Sequence, residues 1–566
     1  MSTTRNRATG DADVPIVELL DGQFSPIDDR TARQWREEGW WEGRTIRSLL
    51  TDAAAAHPDR LALVGRRSDG RRVTRTYAEF DRNANHVASV LDSLGVGTGD
   101  AVVVMMPNWV EYPELVFGIN ELGAIYAGIP VAYGELQAAA ILRRSKAKVL
   151  VIPRRHRSTQ HLELSRRLRA QIPTLEHVIV VDDDDSDLEP GESLWASHDD
   201  VPARAFAAPH PGRVCYLGFT SGTTGEPKGA MHSHDTLIYS VRRQAEHIGV
   251  PVYGDPMVHL VASPAGHHTG FAWGIVMTVL VRGTAVHVDR WEPTWGVQVI
   301  REEGVTTFFG APTFLQDMMR TDLVGDPDCP LTCLVIAGSP VPRNLPALAQ
   351  EALGAYIAPA WGLTECSIMS SCTPLEPAEI QRTDGSIFPG SAVRVVGDDG
   401  TEAAAGQVGD LHMRGPGVVY GYYDRPDATE DSYLPGLWFK TGDRASVDEH
   451  GWLSLRGRSK DIIIRGGENI PVTDVESVIF DHPDVVNAAL VGVPDERLGE
   501  RICAVLVIKE GRPALDVESL AAYLVAQGLS KHYLPEVVES LPELPMTPSG
   551  KIQKFKLREM LQTVAT

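Results

Sequence analysis

Helical patterns of apolar residues alternate with short runs of Val and Ile across the first half of the chain. The segment FDRNANHVASVLDSLG precedes the apolar run AVVVMM, and AAAILRRSKA precedes KVLVIP. Helix-length amphipathic segments that alternate with short β-branched runs are typical of parallel α/β layers. The pattern therefore predicts an α/β fold for this half of the chain.

The pattern changes to shorter strands in the second half, up to about residue 455. The segments SAVRVVG, GDLHMRG and WLSLRGR are separated by Gly, Asp and Pro turns and predict a β-rich region. After Arg458 the pattern restarts, and Thr473 and Glu476 predict a capping box for a helix in DVESVIFDH. Two apolar strands, VVNAALVGV and ICAVLVI, and a helix from Asp516 follow. We therefore expect a compact C-terminal domain of about a hundred residues.

Composition narrows the class of protein. The chain has 566 residues, too many for one core, with 43% hydrophobic and 23% charged residues and no apolar run of membrane-spanning length. Six cysteines without CxxC spacing favour neither a zinc site nor a disulfide framework, and the N-terminus lacks the apolar stretch of a secretory signal. The net charge of −22 disfavours nucleic-acid binding. We expect a soluble cytoplasmic protein without stable membrane insertion.

The segment GFTSGTTGEPKG, residues 218–229, combines glycines, hydroxyl residues and one lysine. Exposed backbone N–H groups, hydroxyls and an ammonium are what a polyphosphate needs, so the segment predicts a nucleotide site. A flexible surface loop is the alternative, but the apolar strand 214–219 leads directly into the segment. A P-loop is the weaker interpretation because Lys228 follows Pro227 and Gly229 stands where a P-loop carries a hydroxyl.

Further motifs follow in order, and together they resemble those of the adenylate-forming superfamily of acyl-CoA synthetases, aryl-AMP ligases, luciferases and peptide-synthetase adenylation domains. The branch that the chain most resembles is the short- to medium-chain fatty-acid and cyclohexanecarboxylate CoA ligases. The resemblance runs from REEGWWEGRTI to the C-terminus. The motifs after the glycine-rich loop are AGSP (337–340), AWGLTEC (360–366), KTGD (440–443), GRSKDIIIRGGENI (457–470) and PSGKIQK (548–554).

The resemblance implies a multi-domain α/β fold with a large body and a small mobile lid. The body, residues 1–457, would combine α/β layers with a β-rich subdomain, and residues 458–461 would be the hinge. Residues 462–566 would form the α+β lid. The implied reaction uses ATP and Mg²⁺ to convert a carboxylic acid to an acyl-adenylate, which then reacts with the thiol of CoA.

The resemblance also implies the residues of the nucleotide site. Thr364 would contact the α-phosphate, Glu365 would hold Mg²⁺, and Asp443 would accept hydrogen bonds from the ribose. Trp361 offers a flat face to adenine at a position where the family more often has Tyr; a core residue is the alternative. Asp443 and Arg458 have plainer alternatives as a turn residue and a surface charge. The ATP or AMP contacts predicted in this way are Thr220, Ser221, Gly222, Thr223, Thr224, Lys228, Gly338, Ser339, Pro340, Ala360, Trp361, Gly362, Asp443 and Arg458.

Lys551 matches the terminal catalytic lysine of the family and would bridge the carboxylate and the α-phosphate. Without the resemblance, an exposed lysine near a fraying tail would be the simpler interpretation. Lys460 matches the hinge position, about which the lid would swing after adenylation. Arg465, Gly466 and Gly467 would then line the path of CoA, although a tight turn explains the glycines as well.

The acyl pocket is predicted in GHHTGFAWG (266–274) and FFGAPTF (308–314). His267 matches the family's gate position beside the acyl carboxylate, and a third ligand that would make a metal site with His268 is not evident. The apolar, mostly aromatic residues predict a closed pocket for a compact hydrophobic acid. The predicted pocket residues are His268, Phe271, Trp273, Phe309 and Gly310.

The sequence thus predicts an ATP-dependent acid:CoA ligase for a medium-chain or alicyclic acid. The alternative is an acyl- or aryl-AMP ligase that loads an acyl carrier protein, since REEGWWEGRTI also resembles the aryl-AMP ligases of siderophore assembly. Against an aryl substrate, GHHTG stands where those enzymes have a His-Asn dipeptide. A non-catalytic nucleotide-binding module is disfavoured because Lys551, Glu365 and the hinge are all present.

Overall fold

The structure is a computed structural model, and it describes residues 15–182, 187–220, 226–458, 463–465, 468–470, 472–495, 497–547 and 550–564. Its helices alternate with strands through most of the chain, as the sequence pattern predicts. In the described residues the α-helices are α1 (Asp29–Glu37), α2 (Ile46–Ala56), α3 (Tyr77–Ser93), α4 (Glu111–Glu121), α5 (Glu135–Ser145), α6 (His161–Gln171), α7 (His234–Ile248), α8 (Thr278–Leu280), α9 (Pro293–Glu303), α10 (Pro312–Met318), α11 (Leu345–Leu353), α12 (Pro426–Ser432), α13 (Val472–Phe480), α14 (Val517–Ala526) and α15 (Lys554–Val564).

The described strands form four larger sheets and one two-stranded ribbon. In chain order they are β1 (Leu61–Arg66), β2 (Arg72–Thr76), β3 (Ala101–Val104), β4 (Ile125–Gly128), β5 (Val149–Pro153), β6 (Arg155–His156), β7 (Thr159–Gln160), β8 (His177–Val181), β9 (Glu192–Leu194), β10 (Val214–Thr220), β11 (Lys228–Ser233), β12 (Val258–Val261), β13 (Thr284–Val288), β14 (Thr307–Gly310), β15 (Cys333–Ile336), β16 (Tyr356–Leu363), β17 (Ser367–Ser371), β18 (Ser386–Ile387), β19 (Ala392–Val396), β20 (Gly409–Arg414), β21 (Tyr433–Leu434), β22 (Trp438–Val447), β23 (Leu453–Arg458), β24 (Ile463–Arg465), β25 (Glu468–Ile470), β26 (Val485–Asp495), β27 (Gly499–Ile508) and β28 (Val537–Ser540).

Two large, mostly parallel sheets form the greater part of the N-terminal region. One has seven strands in the order β11-β10-β4-β3-β5-β8-β9, and the other has nine in the order β18-β17-β16-β15-β14-β12-β13-β1-β2. The predicted strands AVVVMM and KVLVIP are β3 and β5, which pair in parallel in the seven-stranded sheet. Every residue of both strands is buried, which explains their uninterrupted apolar runs.

A hydrophobic core lies between these two sheets. The seven-stranded sheet contributes Val102 and Tyr126 to it, and the nine-stranded sheet contributes Leu63 and Phe309. Helix α3 also packs into this core, and it begins at Tyr77 because Thr76 and Glu79 form a capping box there. The core therefore joins the two sheets into one body.

The β-rich region and the C-terminal region have separate sheets. The predicted strands SAVRVVG, GDLHMRG and WLSLRGR are β19, β20 and β23, which form an antiparallel sheet with β21 and β22. The C-terminal sheet contains β24 to β28, and its long hairpin of β26 and β27 matches the two predicted apolar strands. Helix α14 begins after Asp516, as predicted, since the Asp516 side chain accepts the N–H of Ser519. A large N-terminal domain and a small C-terminal domain result.

The predicted capping box at Thr473 is wrong. Helix α13 already includes residue 472, and the Thr473 carbonyl accepts a hydrogen bond from the Ser477 hydroxyl inside the helix. The Glu476 side chain instead accepts the backbone N–H of Leu490 in β26 at 2.6 Å and pairs with Lys554 of α15 at 2.6 Å. These tertiary contacts use the carboxylate that the local pattern assigned to a cap.

Among the described residues, no helix is both long and apolar enough to cross a lipid bilayer.

Candidate active site

The glycine-rich segment joins two antiparallel strands. Strand β10 runs into it and β11 leaves it, with Thr220 opposite Lys228 in the strand register. The predicted phosphate contacts Ser221, Gly222, Thr223 and Thr224 lie outside the described residues. The hairpin therefore places Thr220 and Lys228 on either side of the predicted phosphate loop.

The acidic motif lies at the tip of a second hairpin, which β16 and β17 form, and this tip touches β10 and β11. A Cβ atom on Gly218 would lie 2.4 Å from the Thr364 methyl carbon, so only glycine fits there. The Nε2 atom of His232 lies 2.6 Å from the Thr364 carbonyl oxygen. Burial lowers the pKa of His232 to about 4, which keeps this imidazole neutral at pH 7. The fold thus brings Thr364 next to the strands that carry the predicted phosphate loop.

Glu365 makes a hydrogen bond that the sequence did not predict. The hydroxyl of Tyr422 donates to Oε1 of Glu365 at 2.9 Å, and the same ring lies 4.9 Å below Nζ of Lys228. Burial raises the pKa of the Glu365 carboxyl, and the hydrogen bond from Tyr422 opposes that rise. Tyr422 lies 57 positions from Glu365 along the chain and still farther from Lys228, so no local spacing could have indicated these contacts.

The predicted ribose site unites three residues from distant motifs. The side chain of Asp443 is buried, and Nε1 of Trp361 donates to its Oδ2 at 2.9 Å. The Nε atom of Arg458 donates to its Oδ1 at 3.1 Å. Strands β22 and β23 bring about the second contact by pairing Asp443 with Arg458 directly. Trp361 is itself buried and packs among apolar side chains, so it is part of a core as well as a neighbour of Asp443.

The predicted adenine segment, residues 337–340, directly follows β15 and lies next to the neighbouring strand β16. Ile336 pairs with Pro359, so residues 337–340 follow the end of β15 beside residues 360–362, which continue β16 and pair with β17. Gly338 has φ of +87° and no atom lies within 4 Å of the point where its Cβ would be. Ser339 is half-buried and Pro340 is exposed, whereas Ala360 is buried. The segment therefore leaves room beside the predicted nucleotide site.

The loop that carries Lys551 packs against the body. A Cβ atom on Gly550 would lie 2.5 Å from Oγ1 of Thr313 and 3.3 Å from Cβ of Ala311. The pKa of His267 is lowered to about 4, first by burial and then by the positive charge of Lys551. The backbone N–H of Lys551 donates to the Thr547 hydroxyl at 3.0 Å. The Lys551 loop thus packs on the segment 308–314, which also carries the predicted pocket residues Phe309 and Gly310.

The hinge and CoA predictions are described only in part. Lys460, Gly466 and Gly467 lie outside the described residues. Arg465 is described, and its guanidinium pairs with Glu536 of the same small domain.

Aromatic side chains fill the predicted acyl pocket. Phe271 and Trp273 lie on a π-helix, Gly270–Met277, and the ring of Trp273 stacks on Phe309 with centroids 6.0 Å apart. Phe271 packs against Tyr126 at 4.9 Å and against Tyr216 at 4.4 Å. A Cβ atom on Gly310 would lie 2.3 Å from the ring of Phe308, so the strand needs glycine there. The predicted aromatic residues and two unpredicted tyrosines therefore share one cluster.

His268 lies in a second stack beside that cluster. Its ring is 5.4 Å from His232 and 5.7 Å from Tyr216, and its Nε2 lies 2.8 Å from the Ser367 hydroxyl. The sequence did not predict Tyr216 or His232. The sequence did contain a signal for Tyr216. Tyr216, Gly218 and Thr220 alternate along β10, so Tyr216 must lie on the same face of the strand as the predicted phosphate contact Thr220. Within the described ranges, no group of three or more His, Cys, Asp or Glu could hold a metal ion, so His267 and His268 are not part of such a cluster.

Comparisons with known proteins show which families and proteins the chain resembles. The family model described as AMP-binding enzyme matches residues 50–423, and the model of the AMP-binding enzyme C-terminal domain matches residues 474–551. A medium-chain fatty-acid CoA ligase of Escherichia coli K12 is 30% identical over 93% of this chain and 92% of its own length. A salicyl-AMP ligase/salicyl-S-ArCP synthetase of Mycobacterium tuberculosis H37Rv is 31% identical over 94% of each chain.

A similar solved structure is that of the anthranilate CoA ligase AuaEII in complex with anthranoyl-AMP. It is 25% identical, has a TM-score of 0.83, and is matched over 92% of this chain and 98% of its own. The predicted superfamily, fold class and adenylate-forming enzyme class are confirmed. The hairpins, the two domains and the family matches together show that the chain belongs to the AMP-binding enzyme family.

Proposed function

We propose that this protein is an ATP-dependent acid:CoA ligase that activates a compact hydrophobic acid as its acyl-adenylate. The observation that carries the proposal is the docked Lys551 loop: Gly550 packs on Thr313, and the charge of Lys551 acts on His267. This arrangement would bring an ammonium to the place where the predicted acyl pocket meets the predicted nucleotide site. A carboxylate that attacks a phosphate needs a cation at that place, because both reactants are negative.

The nucleotide would be held by the two hairpins and the strand pair around Asp443. Lys228 and the hydroxyl residues of the phosphate loop would bind the phosphates, and Asp443 would accept the ribose hydroxyls. Trp361 would pack beside adenine while its N–H holds Asp443. In the second half-reaction the small domain would turn about residues 458–461, and residues 465–467 would replace Lys551 beside the adenylate.

The donor set fits one Mg²⁺ ion bound together with ATP. Glu365 offers a half-buried carboxylate, and the described residues contain no larger cluster of acidic or imidazole ligands around it. Mg²⁺ commonly binds through one or two carboxylates together with substrate phosphates and water. When bound, Mg²⁺ would neutralise phosphate charge, and Glu365 would be its protein ligand.

The acyl substrate would lie among Phe271, Trp273 and Phe309, which are all at most 3% exposed. We expect a medium-chain or alicyclic acid as the substrate of this closed aromatic cluster. The relatives include enzymes named for medium-chain fatty acids and for salicylate, which is consistent with a compact acid.

A second candidate is an aryl-AMP ligase that loads a carrier protein. It is favoured by the stacked rings of Tyr216, His232 and His268, because a planar aromatic acid can stack on such rings. Pyrophosphate release across a panel of acids, with CoA and a phosphopantetheinylated carrier protein compared as acceptors, separates the two. Thioester formation on CoA with cyclohexanecarboxylate or octanoate supports the ligase. Activation of hydroxybenzoates alone, without turnover on CoA, supports the second candidate.

A further inference from the structure

The segment 419–423 crosses between the two hairpins of the site. Its backbone hydrogen-bonds to β11, since Met231 N–H donates to the Gly421 carbonyl and Tyr423 N–H donates to the Gly229 carbonyl, at 2.9 and 2.8 Å. The N–H of Val419 donates to the backbone carbonyl of Glu365 at 2.9 Å. The segment, which we call the strap, is therefore fixed both to the strand that follows the phosphate loop and to the acidic motif.

Tyr422 is the strap residue that reaches both groups through its side chain. Its hydroxyl donates to Oε1 of Glu365 at 2.9 Å, and the centroid of its ring lies 4.9 Å from Nζ of Lys228. The residue is only 6% exposed, and its own N–H donates to the Thr429 hydroxyl at 2.9 Å, which fixes its backbone. Burial raises the pKa of the Tyr422 phenol, so the hydroxyl stays protonated and remains a donor at neutral pH.

A purely structural tyrosine does not account for both contacts. Phe could fill a position that needs only an apolar ring. The Tyr422 hydroxyl, in contrast, donates a hydrogen bond to the half-buried carboxylate of Glu365. A hydrogen bond to one carboxylate oxygen restricts rotation of the Glu365 side chain, and in the described part of the chain no other side chain donates to that carboxylate. The ring face attracts an ammonium electrostatically and limits the positions that Lys228 can take.

We propose that Tyr422 is a positioning residue that orients Glu365 through its hydroxyl and Lys228 through its ring. This inference rests on the proposed function, in which Glu365 and Lys228 hold the metal and the phosphates of ATP. It predicts that the two contacts act on different parts of MgATP. Loss of the hydroxyl should affect the contribution of Mg²⁺, and loss of the ring should affect the binding of phosphate charge.

The test is equilibrium binding of ATP by calorimetry, with and without Mg²⁺, to the full-length chain. Tyr422→Phe removes only the hydroxyl and should weaken MgATP binding about tenfold, the effect of one hydrogen bond to a charged group. It should leave binding of metal-free ATP unchanged. Tyr422→Leu also removes the ring and should in addition weaken metal-free ATP binding about threefold, because the cation–π contact is lost.

Tyr433→Phe is the matched control. It removes a phenol hydroxyl that donates to the carbonyl of Val419 in the same strap, and it should leave both affinities as in the wild type. The inference is overturned if Mg²⁺ strengthens ATP binding equally in the wild type and in Tyr422→Phe. If the wild type itself binds no ATP, the proposed function fails and the inference fails with it. If the wild type binds ATP but Mg²⁺ has no effect, the metal role of Glu365 is wrong, and with it the role of the Tyr422 hydroxyl.

Discussion

Individual hydrogen bonds orient the buried side chains of the predicted nucleotide site. Asp443 receives one from Trp361 and one from Arg458, so its carboxylate is oriented before any ligand binds. The indole N–H of Trp361 supplies one of the two donors to this carboxylate, which is predicted to bind the ribose. A hydrogen bond thereby links the residue predicted to stack on adenine to the residue predicted to bind the ribose.

Trp361→Phe tests this coupling, since Phe keeps a flat face but loses the N–H. We expect ATP binding to weaken by about 1 kcal/mol, because one hydrogen bond to the buried carboxylate is lost. Binding of 2′,3′-dideoxy-ATP, which lacks the hydroxyls that Asp443 would accept, should change less. Trp291→Phe is the control, since Trp291 donates to Asp317 at 2.9 Å in the same way but outside the predicted nucleotide site. An equal loss for both nucleotides would show that only stacking is affected.

His287, a buried histidine away from the site, should make the stability of the protein depend on pH in the acid range. Burial lowers the pKa of His287 to about 3, and within the described residues neither of its ring nitrogens has a hydrogen-bond partner. An unfolded histidine has a pKa near 6.5, so below that pH the unfolded state binds a proton that the folded state excludes. His287 therefore does not reduce the free energy of unfolding above about pH 6.5, and it reduces that free energy progressively as the pH falls below this value.

Urea unfolding of the wild type and of His287→Leu at pH 7.5 and pH 5 measures this effect. Between pH 7.5 and pH 5, the free energy of unfolding should fall by about 2 kcal/mol more in the wild type than in the variant. The reason is that pH 5 lies about 1.5 units below the pKa of the unfolded histidine, and each unit corresponds to about 1.4 kcal/mol. The comparison removes the contribution of other titrating groups, which both proteins share. The same loss in both proteins would contradict the assignment of a neutral, buried His287.

At the scale of elements, the π-helix and β14 set the size of the predicted acyl pocket. Trp273 on the π-helix stacks on Phe309 of β14, so these two rings would close the end of the pocket. Each methylene of an acid that becomes buried contributes about 0.8 kcal/mol until it meets these rings, after which overpacking costs free energy. The rings would thus select acids by length.

Trp273→Ala should move the optimum toward longer acids. The measurement is kcat/KM for a series of acids from acetate to palmitate, and the ratio between acids is independent of the fraction of enzyme that is folded. We expect stability to fall by about 3 kcal/mol, as for other large-to-small core substitutions. A wild type that prefers palmitate, or a variant with an unchanged optimum, would contradict the closed pocket.

The elements also show what a sequence can and cannot predict. Strands such as β3 and β5 were predictable because burial on both faces makes their runs continuously apolar. Residues such as Lys551 and Asp443 could be proposed for the site because they belong to local motifs that resemble those of the family. Tyr422 was not, because its partners lie in distant segments, and Thr473 was mispredicted because a tertiary contact of Glu476 outweighs the local cap. Local patterns determine elements, whereas contacts between elements complete the site.

At the scale of the whole molecule, the small domain is docked on the body through several contacts. The Arg456 guanidinium pairs with Asp474 of α13 at 2.7 Å, and the amide of Asn344 donates to Asp481. The loop around Gly550 forms a further contact, on Thr313. In the proposed reaction this orientation serves adenylation, and it must change before a thiol can reach the adenylate.

The central claim is that Lys551 serves the first half-reaction and not the second. The most direct measurement is the rate of each half-reaction in Lys551→Ala, with the exposed Lys556→Ala as control. Pyrophosphate release from ATP and acid should fall by about a hundredfold or more, since one charge contact to the transition state is lost. Formation of acyl-CoA from a supplied acyl-adenylate should remain close to the wild-type rate, and Lys556→Ala should retain both activities. Near wild-type pyrophosphate release by Lys551→Ala, or an equal loss of both half-reactions, would contradict the account.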